Sequence, residues 1–140
     1  MGKKKLKFSI IGCGNISRKH VSCILDNEKS ELVAVCDLNE KASNELGKKL
    51  NTPSFKNINE MVKSINNDVF VALTPSGNHY EVVKELIRYK KDIIVEKPLS
   101  LSLNQGKEMI MLCKKNNIVL SVVKQNRFNL PIIFSKKIID

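Results

Sequence analysis

The chain has 140 residues, 42% of them apolar and 27% charged, with 6 glycines and 4 prolines. That is the composition of one globular domain with a real core, and it excludes a disordered or fibrous chain; no apolar run approaches the ~18 residues that cross a bilayer. The formal charge of +10 comes from 21 lysines against only 3 arginines, a scarcity of the planar guanidinium that argues against a reader of nucleic acid.

Leu6 to Ile11 is a short apolar run stopped by glycine and predicts a buried strand. Ile16, His20 and Ile24, with Val21 and Leu25, recur at four-residue steps and predict a helix, with His20 as a packed structural histidine on its apolar face. Leu32 to Cys36 predicts a second strand. Asn39 is a good N-cap for a helix through Ala42, Leu46 and Leu50. Pro53 to Phe55 can form only a short edge strand, because proline donates no ladder hydrogen bond. A helix through Ile58, Met61, Val62 and Ile65 follows, then a strand at Asp68 to Leu73 and a helix through Val82, Val83, Leu86 and Ile87. Ile93 to Val95 predicts the fifth strand. Ser102 and Gln105 have capping-box spacing ahead of a helix through Met109, Ile110 and Cys113, and Ile118 to Val123 predicts the sixth strand. The pairs Lys48/Lys49, Lys90/Lys91 and Lys114/Lys115 are expected at helix C-termini, where cations complement the helix dipole.

Apolar strands alternating with amphipathic helices predict an α/β fold, a doubly wound parallel sheet of about six strands with helices on both faces. Such a sheet binds ligands beyond the carboxyl ends of its strands, so the residues just after each strand are the candidates.

After the first strand stands Gly12-Cys13-Gly14-Asn15-Ile16-Ser17, a G-x-G-x-x-S variant of the dinucleotide fingerprint. Gly12 allows the tight turn, and Gly14 lets the backbone approach a pyrophosphate that the following helix N-terminus stabilises; Asn15 and Ile16 complete that turn. Ser17 in place of the third small residue predicts a slightly wider helix–strand spacing. Asp37 follows the second strand where a ribose-binding carboxylate is expected, and it would repel a 2′-phosphate, favouring NAD over NADP; a helix-initiating carboxylate near the N-cap is its other reading. The fourth strand leads into Thr74, Pro75, Asn78 and His79; Asn78 could equally be an N-cap, and His79 a surface histidine. The fifth ends in Glu96-Lys97-Pro98. A lysine there is expected to be partly desolvated, with a lowered pKa, fit for proton transfer or for gripping a substrate hydroxyl. Four scattered cysteines without a C-x-x-C pair suggest neither a disulfide framework nor a metal site. The apolar stretch after Lys3, Lys4 and Lys5 is too short for a signal peptide, and Leu6 stands where myristoylation favours Ser or Thr, so a cytoplasmic protein is expected.

The segments GCGNIS, AVCD, ALTPSGNH, VEKPLS and KQNRFN together resemble the cofactor domain of the Gfo/Idh/MocA oxidoreductases over about residues 6–140. The resemblance implies a Rossmann domain that uses a nicotinamide cofactor, here NAD, on sugars, inositols or sugar nucleotides. It implies that Lys97 is catalytic and that the bond to Pro98 is cis. The KQNRFN stretch is similar to the subgroup that oxidises the 3-hydroxyl of UDP-N-acetyl-hexosaminuronates or related UDP-sugars for surface-polysaccharide synthesis, which implies that Asn126 and Arg127 lie near nicotinamide or substrate. A plain inter-domain linker is the other reading of that stretch. The candidate cofactor contacts are thus Gly12, Gly14, Asn15 and Ile16, then Asp37, then Thr74, Pro75, Asn78 and His79, then Glu96 and Lys97, and last Asn126 and Arg127.

In that family the acid/base is usually a histidine in a D-x-x-x-H motif of a second domain. This sequence has none, since Ile16 and Pro75 precede its only histidines by four places. Residues 1–124 are therefore expected to form the NAD-binding domain, and 125–140 a linker and the first helix of a truncated substrate domain. Such a chain is expected to bind NAD with little turnover alone. Its expected partners are a sugar or sugar-nucleotide substrate and, at full length, further copies of itself, with no nucleic acid and no membrane. Alternative readings are an inositol or glucose dehydrogenase of the same family, a non-catalytic NAD-binding module, or a basic nucleic-acid binder.

Overall fold

The computed structural model describes residues 4–139; Met1 to Lys3 and Asp140, which carry the start of the lysine-rich segment and the end of the last predicted helix, lie outside them. Six strands, β1 (Leu6–Ile11), β2 (Ser30–Cys36), β3 (Ser54–Phe55), β4 (Val69–Ala72), β5 (Asp92–Val95) and β6 (Leu120–Val122), form one sheet in the order 3-2-1-4-5-6. Every pairing is parallel. The order reverses between β1 and β4, which is where a doubly wound sheet opens a crevice.

The alternation of side chains along each strand distributes the helices. Ile10, Val35 and Val71 face α1 (Ser17–Leu25) through Val21 and Ile24, with Leu46 and Leu50 of α2 (Glu40–Leu50) packed on the same cluster. Ile11, Phe70, Ala72, Ile93 and Val95 face the other way, against Met61 of α3 (Ile58–Ser64), Val83 and Leu86 of α4 (His79–Ile87), and Met109 and Cys113 of α5 (Leu103–Lys115). Both faces are thus covered, so the strands read as continuous apolar runs rather than alternating ones.

The caps follow the sequence in part. The side chains of Asn39 and Asn57 accept from the amides of Ala42 and Glu60, as N-caps should. Ser102 makes no side-chain cap bond, contrary to the capping-box expectation; the hydroxyl of Ser100 instead donates to the Ser102 carbonyl at 2.6 Å. Lys48/Lys49 and Lys114/Lys115 occupy the last turns of α2 and α5. Lys90/Lys91 do not belong to a helix end, because α4 stops at Ile87 and Lys90 turns the chain into β5 at φ 52°. A short 3-10 turn (Gln125–Phe128) and α6 (Leu130–Ile139) close the chain, and Leu130, Phe134, Ile138 and Ile139 of α6 are exposed. Among the described residues no helix is long and apolar enough to cross a membrane.

Candidate cofactor site

Gly12 follows β1 at φ 101°, and a Cβ there would come within 2.7 Å of the Leu73 carbonyl carbon. Only glycine fits that approach of two strand ends. The amide of Gly12 donates to the Cys36 carbonyl at 2.8 Å, and the amide of Cys13 donates to Asp37 Oδ2 at 2.7 Å. Asp37 Oδ1 accepts from the amide of Asn39 at 2.8 Å. The carboxylate therefore ties the glycine turn to the end of β2 and keeps lone pairs for two further donors.

The amides of Gly14, Asn15 and Ile16 have no acceptor among the described residues and lie at the start of α1, whose dipole favours an anion there. A Cβ built on Gly14 meets nothing within 4 Å. Ser17 is fully buried, and its hydroxyl donates to the Gly14 carbonyl at 2.7 Å, closing the turn.

One cavity of about 960 Å³ runs along these strand ends. Gly12, Gly14, Asn15, Ile16 and Asp37 line it together with Thr74, Pro75, Asn78, His79, Glu96 and Lys97, so all but two of the predicted positions meet in one place. Asn126 and Arg127 are exposed on the 3-10 turn and are not part of the lining; their neighbour Gln125 is. Asn78 makes no cap bond, because the preceding 3-10 turn (Ser76–Asn78) runs directly into α4, so its side chain is left to the cavity. His79 is no surface residue: it is 1% exposed, and its ring nitrogens lie 2.7 Å and 2.9 Å from the carbonyl oxygens of Pro98 and Thr74.

Lys97 corrects one expectation. Its side chain is exposed, so the protein's own atoms do not desolvate it, and the Lys97–Pro98 bond is cis as the resemblance implied. His20 corrects another: its Nε2 pairs with Glu96 Oε1 at 2.8 Å at the cavity wall rather than packing among apolar side chains. The four-residue periodicity put His20 on the inward face of α1 but carried no information about which part of that face meets β5. Burial, with the charge of Asp37 next, pushes the Cys13 and Cys36 thiols up to about 12, so both are neutral at neutral pH, Cys36 as part of the cavity wall.

The orphan amide trio, the space left by Gly14 and the carboxylate at the next strand fit a dinucleotide: diphosphate at the helix start, ribose at Asp37. A doubly wound sheet with this set at its switch point defines a dinucleotide-binding α/β domain. Residues 6–124 match the Gfo/Idh/MocA oxidoreductase family, described as having an NAD-binding Rossmann fold, and the chain belongs to that family. It is similar to glucose-6-phosphate 3-dehydrogenase of Bacillus subtilis, 28% identical over 74% of this chain and 29% of the relative. It is also similar to myo-inositol 2-dehydrogenase of Thermotoga maritima, 28% identical over 89% of this chain and 37% of the relative. Among solved structures, the WlbA dehydrogenase of Bordetella pertussis, in complex with NADH and UDP-GlcNAcA, superposes with a TM-score of 0.93 at 33% identity, covering 97% of this chain and 42% of that one. The chain thus spans well under half the length of these relatives.

Proposed function

We propose that this chain is the NAD-binding part of a dehydrogenase that removes hydride from a hydroxyl-bearing carbon of a sugar or sugar nucleotide, a UDP-sugar 3-dehydrogenase for surface-polysaccharide synthesis being the favoured case. The observation that carries this reading is the convergence of the Gly14–Ile16 amides, Asp37 and Lys97 on one cavity. The likeness to a UDP-sugar-bound relative supports the substrate class. A cytoplasmic location belongs to the same reading, supported by the free thiols of Cys13, Cys23, Cys36 and Cys113.

In this reading the Gly14, Asn15 and Ile16 amides hold the diphosphate and Asp37 accepts from the ribose hydroxyls. Bound nicotinamide supplies the hydride acceptor. Lys97, rooted at the end of β5, donates a hydrogen bond to the substrate oxygen and stabilises the negative charge that develops as its proton leaves. The exposed ammonium loses its water only when ligands close over it. Residues 1–124 form the binding unit, and 125–140 lead into a substrate domain that supplies the acid/base and most of the discrimination between sugars.

Thermal unfolding of the chain with NAD, NADP and duplex DNA tests the binding half. A ligand at 100 times its Kd adds about 2.7 kcal/mol of stability. NAD is expected to raise the midpoint, NADP less, and DNA not at all. A response to DNA alone, falling steeply with salt, would replace this reading with the nucleic-acid one.

A further inference from the structure

The root of Lys97 is held from both sides by the chain's only two histidines. On one side, Glu96 is 8% exposed, and its Oε2 accepts from the Lys97 main-chain amide at 3.0 Å. The other oxygen, Oε1, lies 2.8 Å from Nε2 of His20, a residue 76 positions earlier on α1. On the other side, the Pro98 carbonyl lies 2.7 Å from Nδ1 of His79, whose Nε2 lies 2.9 Å from the Thr74 carbonyl; a neutral ring donates to one of these two oxygens. The Lys97 side chain itself makes no hydrogen bond or ion pair among the described residues and is exposed. Its four-carbon stem is flexible, so the protein controls the ammonium only through the backbone from which it springs.

We propose that His20 and His79 are positioning residues that clamp the Lys97 turn, His20 acting through Glu96 and His79 through the Pro98 carbonyl. This rests on the reading of Lys97 as the group that meets substrate. The clamp also joins the two halves of the cavity. His20 sits one turn into the helix whose first amides face the diphosphate position, and His79 opens the helix after β4, so the lysine's root is fixed relative to both walls. A hydrogen bond to a buried carboxylate is stronger than a neutral one and tolerates little displacement, which makes Glu96 a stiff link rather than a loose one.

The test follows the Lys97 amide by NMR in the uniformly 15N-labelled chain, without nucleotide. His20→Leu is expected to speed exchange of that amide by about tenfold or more, as loss of order around a charge-assisted bond should, while the amides of Ile10 and Val71 in the sheet centre keep their protection. His20→Gln, which offers a neutral donor at a similar reach, is expected to restore protection to within about threefold of wild type on the same scale. A Lys97 amide as protected in His20→Leu as in wild type overturns the proposal. Should that variant fail to fold, titration of the wild-type chain decides. The proposal requires the Lys97 amide shift and the His20 ring signals to move with a common midpoint, and independent movement overturns it. NAD binding by the wild-type chain is measured in parallel. A chain that binds no NAD while the amide responses hold removes the functional reading but not the clamp. A chain that binds NAD with an unresponsive Lys97 amide removes the clamp alone.

Discussion

Replacing Gly14 by alanine separates space kept for a ligand from space needed by the fold. Gly14 lies outside the left-handed region, and an added Cβ meets nothing within 4 Å. The substitution is therefore expected to stabilise the chain by about 0.4–1 kcal/mol through lost freedom of the unfolded state, a rise in Tm of about 1–4 °C at this size. The same methyl enters the volume that the diphosphate needs. Overpacking by one such group costs about 1–3 kcal/mol, or about 5- to 150-fold in NAD affinity. Gly12→Ala provides the contrast. Its Cβ would meet the Leu73 carbonyl carbon at 2.7 Å and the Thr74 nitrogen at 2.9 Å, from a backbone at φ 101°, so strain and collision together remove about 2–6 kcal/mol. Calorimetric titration with NAD and thermal melts of both variants read the two effects apart. Gly14→Ala with wild-type NAD affinity would refute the assignment of the open space beside Gly14 to the cofactor.

Asp37→Ala is expected to orphan the part-buried Cys13 amide and lower stability by about 1–3 kcal/mol, while reducing the preference for NAD over NADP measured by competitive titration; an unchanged preference would contradict the ribose role. The Cys13 and Cys36 thiols, raised by burial from 9.0 to about 12, stay protonated in the fold where the unfolded chain ionises. Their contribution is fully present below pH 9 and is lost between there and about 12, so urea midpoints are expected to fall above pH 9, and to fall less in Cys36→Ala. At pH 8 a thiol reagent is expected to label exposed Cys23 rapidly and the buried Cys36 and Cys113 only after denaturant is added. Exposed Phe134 and Ile138 on α6 are expected to drive concentration-dependent association in sedimentation, relieved by Phe134→Asp with Ile138→Asp.

The fold was legible because both sheet faces are covered: LVAVC and VFVA, apolar throughout, leave no reading but buried parallel strands, and Asn39 marks a helix start by side-chain chemistry that acts locally. Gly12 and Asp37 were legible for the same reason, since a turn and a strand end are local features. One local feature failed: Ser102 has capping-box spacing, yet its side chain makes no cap bond. The other misses were long-range. Lys97 follows an apolar strand but emerges at its open end, where nothing covers it. His20 reads as core because periodicity reports a direction and not a partner, and its partner stands 76 residues away. Gln125 rather than Arg127 lines the cavity because the sixth strand gives way to a 3-10 turn whose phase the sequence does not encode.

A crystal structure of the chain grown with excess NAD is the most direct test of the central claim. The diphosphate oxygens are expected within hydrogen-bond reach of the Gly14, Asn15 and Ile16 amides, with the adenosine ribose on the Asp37 carboxylate and the nicotinamide end toward Lys97. NAD bound elsewhere on the sheet, or a cleft left vacant at saturating nucleotide, would contradict it.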